Sequence, residues 1–198
     1  MRARARYCLS CGTGLVTVSQ DGQRRRRCPR CGWTFYDNPA PAAVAIIEGR
    51  EGILLGRRAG PPYQGTWDLP GGFLEAGELP DRALLRELRE ELGARAVITR
   101  FHGFCIDRYG ADGIPILAMV YVVRLTTAPR ARSDVAEVRW FRCDAIPWRR
   151  IGFPSIRRTL REYLRGQAVT CPTRHRPEAT VDANVRAGPR ARRGLARP

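Results

Sequence analysis

Apolar positions recur along this chain with two different periods, and the two periods mark out its elements. From Ala42 to Glu48 and from Ile53 to Arg57 the chain is almost continuously apolar. Gly49-Arg50-Glu51-Gly52 separates the two runs, which predicts a β-hairpin. A Pro- and Gly-rich loop over residues 61–66 leads to a short strand from Trp67 to Leu69. The period then changes. Leu84, Leu88 and Leu92 fall at i, i+4 and i+8, with Leu85 beside them, an apolar stripe that predicts a helix. Pro80 and Asp81 suit its first turn and Gly93 suits its end. Val97–Ile106 and Ile116–Leu125 read as strands around a Gly-rich turn, and Val135–Phe141 as another. Ile156, Leu160 and Leu164 predict a second helix over Ser155–Leu164. Residues 167–198 are rich in Pro, Arg and Ala with no period, which predicts a disordered basic tail. Strands and helices in this order imply an α/β layered sandwich. No run reaches the roughly 18 apolar residues of a membrane-spanning helix, so no membrane partner is expected.

The polar flank of the first helix carries Glu87, Glu90 and Glu91, related by i, i+3 and i, i+4. Like charges at that spacing repel, and Arg86 and Arg89 relieve part of the repulsion. A solvated acidic face is one reading and a divalent-metal site the other. The glycines weigh toward metal. Gly71-Gly72 and Gly77 lie on either side of Glu75, in a loop that can bring backbone carbonyls and Glu78 back toward the carboxylates. Hard oxygen ligands of this kind suit Mg²⁺ or Mn²⁺.

This segment resembles the Nudix box, G-x5-E-x7-R-E-U-x-E-E-x-G-U with U aliphatic. Every fixed position matches: Gly72, Glu78, Arg86, Glu87, Glu90, Glu91 and Gly93, with Leu88 and a smaller Ala94 in the aliphatic places. The preceding Trp67-Asp68-Leu69-Pro70-Gly71 is also similar to the family's strand entering the loop. The resemblance implies a mixed-sheet α/β/α sandwich and hydrolysis of a nucleoside diphosphate linked to another group. It implies Mg²⁺ held by Glu87, Glu90 and Glu91, with the Gly71 carbonyl as a further ligand and Gly72 in the turn. Glu78 would lie near the metal or brace Arg86. Glu87 and Glu137 are the candidates for the base, and Glu137 reads more simply as a surface strand residue.

Cys8-Leu9-Ser10-Cys11-Gly12 and Cys28-Pro29-Arg30-Cys31-Gly32 form two C-x2-C-G knuckles. Their spacing reads as a Cys₄ zinc ribbon. Two disulfides are the rival. The start, Met-Arg-Ala-Arg-Ala-Arg, has no apolar run behind it, so a cytoplasmic, reducing setting is expected and favours zinc, with iron as the other metal such a site accepts. A ribbon directly before the box resembles the branch of NADH pyrophosphatases and compact ADP-ribose or FAD pyrophosphatases, as does Tyr36-Asp37-Asn38-Pro39. Two departures favour the compact type. The NADH enzymes carry a long domain ahead of the ribbon, and they carry an S-Q-P-W-P-F-P-x-S array that Tyr109 to Ile116 lacks here. The expected organisation is a zinc ribbon over residues 1–36, a Nudix domain over 37–166 and a tail over 167–198.

Charge changes this picture little. The net charge is +16, and all 35 basic residues are arginine, which suggests a GC-rich coding sequence. The excess lies at the two ends: +7 over residues 1–36 and +5 over 166–198, against +4 between them. Arg24–Arg27 could grip nucleic acid, but the run lacks interleaved aromatics and reads more simply as a solvated hairpin. Tyr63, Trp67, Phe73, Tyr109 and Trp148 are available to stack on a base, or to fill the core. Cys105 reads as a small core residue and His102 as structural. The function expected is Mg²⁺-dependent cleavage of ADP-ribose, FAD or NAD(H), releasing AMP. Removal of a nucleotide cap from RNA and a non-catalytic binding role are the alternatives. A small-molecule nucleotide is the expected partner, and a homodimer contact through the ribbon stays open.

Overall fold

A computed structural model describes residues 5–111 and 113–166. The disorder expected of the tail falls outside them. Two sheets share no strand. The first joins β1 (Val16–Gln20), β2 (Gln23–Arg27) and β3 (Thr34–Phe35), all antiparallel. It packs around Cys8, Leu15 and Cys28, a core too small to hold a fold unaided.

The second sheet has seven strands. The hairpin of β4 (Ala40–Gly49) and β5 (Gly52–Arg58) forms as its sequence predicts. The short β6 (Trp67–Asp68) pairs with β5, and β7 (Gly71–Phe73) with β4. Helix α1 (Pro80–Leu92) follows, then β8 (Ala96–Tyr109), β9 (Ile114–Leu125), β10 (Val135–Phe141), a single 3₁₀ turn over Trp148–Arg150, and α2 (Pro154–Gly166). The main strand order is β10-β5-β4-β9-β8. Only β4 and β9 run parallel, so the sheet is mixed as expected.

Alternation along β4 explains the layering. Ala42 and Ile46 face one side, where Ile156, Leu160 and Tyr163 of α2 cover them. Ala43, Ala45 and Ile47 face the other, against Leu84, Leu88 and Leu92 of α1. The result is a helix on each face of one sheet. Helix α1 ends where Gly93 adopts a left-handed conformation (φ 58°) and its N–H bonds the Arg89 carbonyl. Among the described residues no helix is long and apolar enough to cross a membrane.

Candidate functional site

Helix α1 and the turn before it are locked together by Arg86. Its Nε donates to Glu78 Oε1 at 3.0 Å and its Nη2 to Glu78 Oε2 at 2.9 Å, a two-pronged bond to one carboxylate. Nη2 also reaches the Phe73 carbonyl at 3.1 Å. Nη1 donates to Glu87 Oε1 at 2.8 Å and to Glu90 Oε2 at 3.3 Å. Glu78 in turn accepts the Glu75 N–H at 3.1 Å. Of the two places open to Glu78, it takes the one that braces Arg86. That arginine holds its carboxyl below the usual range.

The close approach of α1 to β7 explains Gly72. A Cβ there would lie 2.5 Å from Glu87 Oε1. Glu87 is half-buried, and loss of solvent raises its pKa against the pull of Arg86.

Glu91 differs from its neighbours. It is 5 % exposed, and its Oε2 accepts the Gly71 N–H at 2.8 Å. Burial pushes its pKa up to about 9, with Asp134 as the next cause. Among the described residues no arginine is paired with it, so its buried carboxylate has no counter-charge. Gly71, Glu91, Asp68 and Asp134 line one small cavity. Asp68 is itself raised to about 6 by burial, although Arg58 lies 3.1 Å away. Arg58 also lines this cavity but is paired with Asp68, so the carboxylates of Glu91 and Asp134 are left to suit a hard divalent cation. The box glutamates do not yet converge on one point. Among the described residues the cysteines alone bring three or more ligand atoms within 4.8 Å of one another, since Arg86 separates Glu87 from Glu90.

The sequence reading did not single out Asp134. It precedes β10, and nothing in its spacing sets it apart from a loop acid. Glu137, three residues on, engages Arg57 at 3.3 Å and Arg139 at 2.5 Å on the strand surface and lies outside the cavity lining.

A second cleft opens on the α2 side of the sheet, with about 520 Å³ of space, part of it open to solvent. It shares Arg58, Asp68, Leu69 and Gly71 with the acidic cavity. Phe73 and Tyr109 line it, joined by Phe153, which the sequence did not mark. Trp67 is core, 2 % exposed. Tyr63 packs its edge on Phe153, and Trp148 lies under Arg161. Cys105 is buried as expected, on the cleft floor.

The four knuckle cysteines gather at the other end of the chain. Sγ separations are 3.5 Å for Cys8–Cys31 and Cys11–Cys28 and 3.7 Å for Cys11–Cys31. A tetrahedral ion with sulfur bonds of about 2.3 Å sets its ligands about 3.8 Å apart, so the cluster fits zinc. Gly12 and Gly32 close the knuckles with N–H bonds to the carbonyls of Cys8 and Cys28. On the neighbouring β2, the Arg25 guanidinium stacks over Tyr36 at 5.0 Å.

The NUDIX domain model matches residues 38–163. A Nudix hydrolase structure from Nitrosomonas europaea superimposes with a TM-score of 0.72 at 30% identity, covering 86% of this chain and 96% of that one. Among curated relatives, the NAD-capped RNA hydrolase NudC of Pseudomonas aeruginosa (strain LESB58) is 27% identical over 149 residues, 72% of this chain and 49% of its own length. The ADP-ribose pyrophosphatase of Methanocaldococcus jannaschii is 29% identical over 116 residues, 58% of this chain and 69% of its own length. The chain thus spans about half the length of the NudC relatives it matches.

Proposed function

The chain belongs to the NUDIX family, and on that premise we propose that it hydrolyses the pyrophosphate bond of an ADP-linked metabolite, such as ADP-ribose, FAD or NAD(H), to release AMP. The observation that carries this reading is the buried Glu91 carboxylate, which among the described residues is paired with no arginine and lies near Asp134, Glu87 and Asp68, in a cavity that shares lining residues with an aromatic cleft. Glu87, Glu90 and Glu91 would hold Mg²⁺ or Mn²⁺, helped by the backbone at Gly71. When bound there, the ion supplies charge neutralisation for the pyrophosphate and a water of lowered pKa.

The chain's own residues do the rest. Arg86 fixes the turn and the helix in one geometry through Glu78 and the Phe73 carbonyl. Its hold on Glu87 Oε1 leaves Oε2 as the oxygen through which Glu87 would hold the ion. The Cys8, Cys11, Cys28 and Cys31 cluster would hold a structural Zn²⁺ in a ribbon over residues 1–36, separate from the hydrolase domain over 37–166.

Incubation with Mg²⁺ and a panel of ADP-ribose, FAD, NADH, NAD, dinucleoside polyphosphates and nucleoside triphosphates tests the reading. AMP should appear from one or two ADP-linked compounds, and Glu90→Gln with Glu91→Gln should abolish it. A flat panel with both Mg²⁺ and Mn²⁺ overturns it. A second reading, cap removal from RNA, draws on the Arg25–Tyr36 stack, which supplies the aromatic that the arginine run itself lacks. Turnover of a capped RNA that rises with strand length and falls steeply with salt would favour it.

A further inference from the structure

The aromatic cleft has walls of one chemistry and a floor of another. Tyr109 and Phe153 present rings 10° from parallel with centroids 6.2 Å apart, and Phe73 meets Tyr109 edge-on at 5.2 Å. Arg58 pins this group. Its Nε is held by the Pro62 carbonyl at 2.7 Å and its Nη1 by Asp68 at 3.1 Å. Its guanidinium carbon lies 5.4 Å from the Phe153 ring centre and 6.0 Å from that of Tyr109. Such walls suit a planar heterocycle.

The floor decides which heterocycle. Asp107, near the end of β8, accepts the Ser155 N–H at 3.0 Å through Oδ2 and the Arg108 N–H at 2.7 Å through Oδ1. A carboxylate has about four lone-pair sites, so these two bonds leave it free to accept more. Asp68, the other carboxylate of the cleft, accepts as many hydrogen bonds, but its charge is matched by Arg58 at 3.1 Å, whereas among the described residues no arginine is paired with Asp107. A ring entering here therefore meets an acceptor that cannot donate.

We propose that this cleft seats an adenine ring and that Asp107 accepts a hydrogen bond from its exocyclic amine. Asp107 is then the group that sets base specificity. The inference rests on the ADP-linked substrate class proposed above and adds how that class is chosen. A 6-oxo purine would place its own acceptor against the carboxylate and be rejected. The shared residues Arg58, Asp68, Leu69 and Gly71 put the base next to the acidic cavity, so the phosphates of the same ligand would extend toward Glu91.

Titration of the metal-free full chain with AMP, IMP and nicotinamide mononucleotide tests this without any turnover. AMP should bind at least about tenfold more tightly than IMP, the discrimination expected when an oxo group faces a half-buried carboxylate that can only accept. Asp107→Asn, whose amide can donate as well as accept, should bring the two within about threefold. Tyr109→Leu should weaken both purines equally. Asp107 also caps the first turn of α2, so a purely structural role would lower the melting temperature and both affinities while leaving their ratio unchanged. An unchanged ratio in Asp107→Asn, no measurable AMP binding, or tighter binding of nicotinamide mononucleotide than of AMP would each overturn the proposal. Failure of the hydrolase reading shows instead as an absence of AMP release from the substrate panel, with base selectivity in binding intact.

Discussion

Gly72 has no side chain because Glu87 stands where one would be. Gly72→Ala puts a methyl 2.5 Å from Glu87 Oε1, and the carboxylate, at the end of a flexible side chain, moves before the strand does. The expected result is a normally folded protein with kcat lowered about 100-fold, the scale of loss from misplacing a reacting group by about 1 Å. Circular dichroism beside steady-state rates checks it. Glu91 carries a pH dependence of its own. Its folded value of about 9 lies above the roughly 4.3 of a free glutamate, so the folded chain keeps a proton that the unfolded chain releases. Stability of the metal-free protein should therefore fall as pH rises from about 4.3 to about 9, and level off above that window. Glu91→Gln cannot ionise. The melting temperature of the wild type in chelator, minus that of Glu91→Gln, should drop steadily across the same range, and a flat difference would show that the burial is not felt. Asp134 marks the limit of the sequence at this scale. Seven fixed letters exposed the box, but a lone acid in a loop becomes conspicuous only when folding lays it beside Glu91.

At the scale of elements, α1 serves both core and chemistry. Leu84, Leu88 and Leu92 are fully buried, while the next flank of the same turns presents Glu87 and Glu91. Leu88→Ala should cost about 3 kcal/mol, within the usual range for emptying a packed site, and Leu85→Ala, half-buried, clearly less. Urea titration measures both. Activity should fall faster than stability in the first, because the cavity lies directly beneath the carboxylates. Long, strongly periodic elements were legible in the sequence: both helices, the β4–β5 hairpin and the hydrophobic runs of β8, β9 and β10 stand where their patterns put them. The β7 strand was not. Gly71-Gly72-Phe73 has the composition of a turn, and it becomes a strand only because Ala42, Ala43 and Val44 offer it a ladder. Phe153 escaped notice for a similar reason. It precedes Pro154 like any residue ahead of a helix, and the cleft it lines is assembled from β7, β8 and β9 far away in sequence.

At the scale of the molecule, the two sheets depend on different sources of stability. The ribbon's core is little more than its cysteines and Leu15, so metal should supply much of its folding free energy. A strong chromophoric chelator should release one zinc per chain. Amide hydrogen exchange should then show protection lost over Cys8–Phe35 while β4, β5 and β9 keep theirs. Loss of protection throughout would mean that the two sheets fold as one, and visible absorbance of the untreated protein would point to iron. The larger sheet carries a different dependence. Its central strand β4 finds a parallel neighbour only in β9, pairing Ala40 with Ile116 and Glu48 with Arg124. A ribosome therefore completes the hairpin and α1 well before the strand that must lie beside β4 exists. Until Ile114–Leu125 has emerged, β4 has a bare hydrogen-bonding edge along much of its length, next to a leucine-studded helix. The nascent chain in that interval is a natural client for chaperones. A fragment stopped before β9 would be an aggregating half-sheet rather than a smaller enzyme.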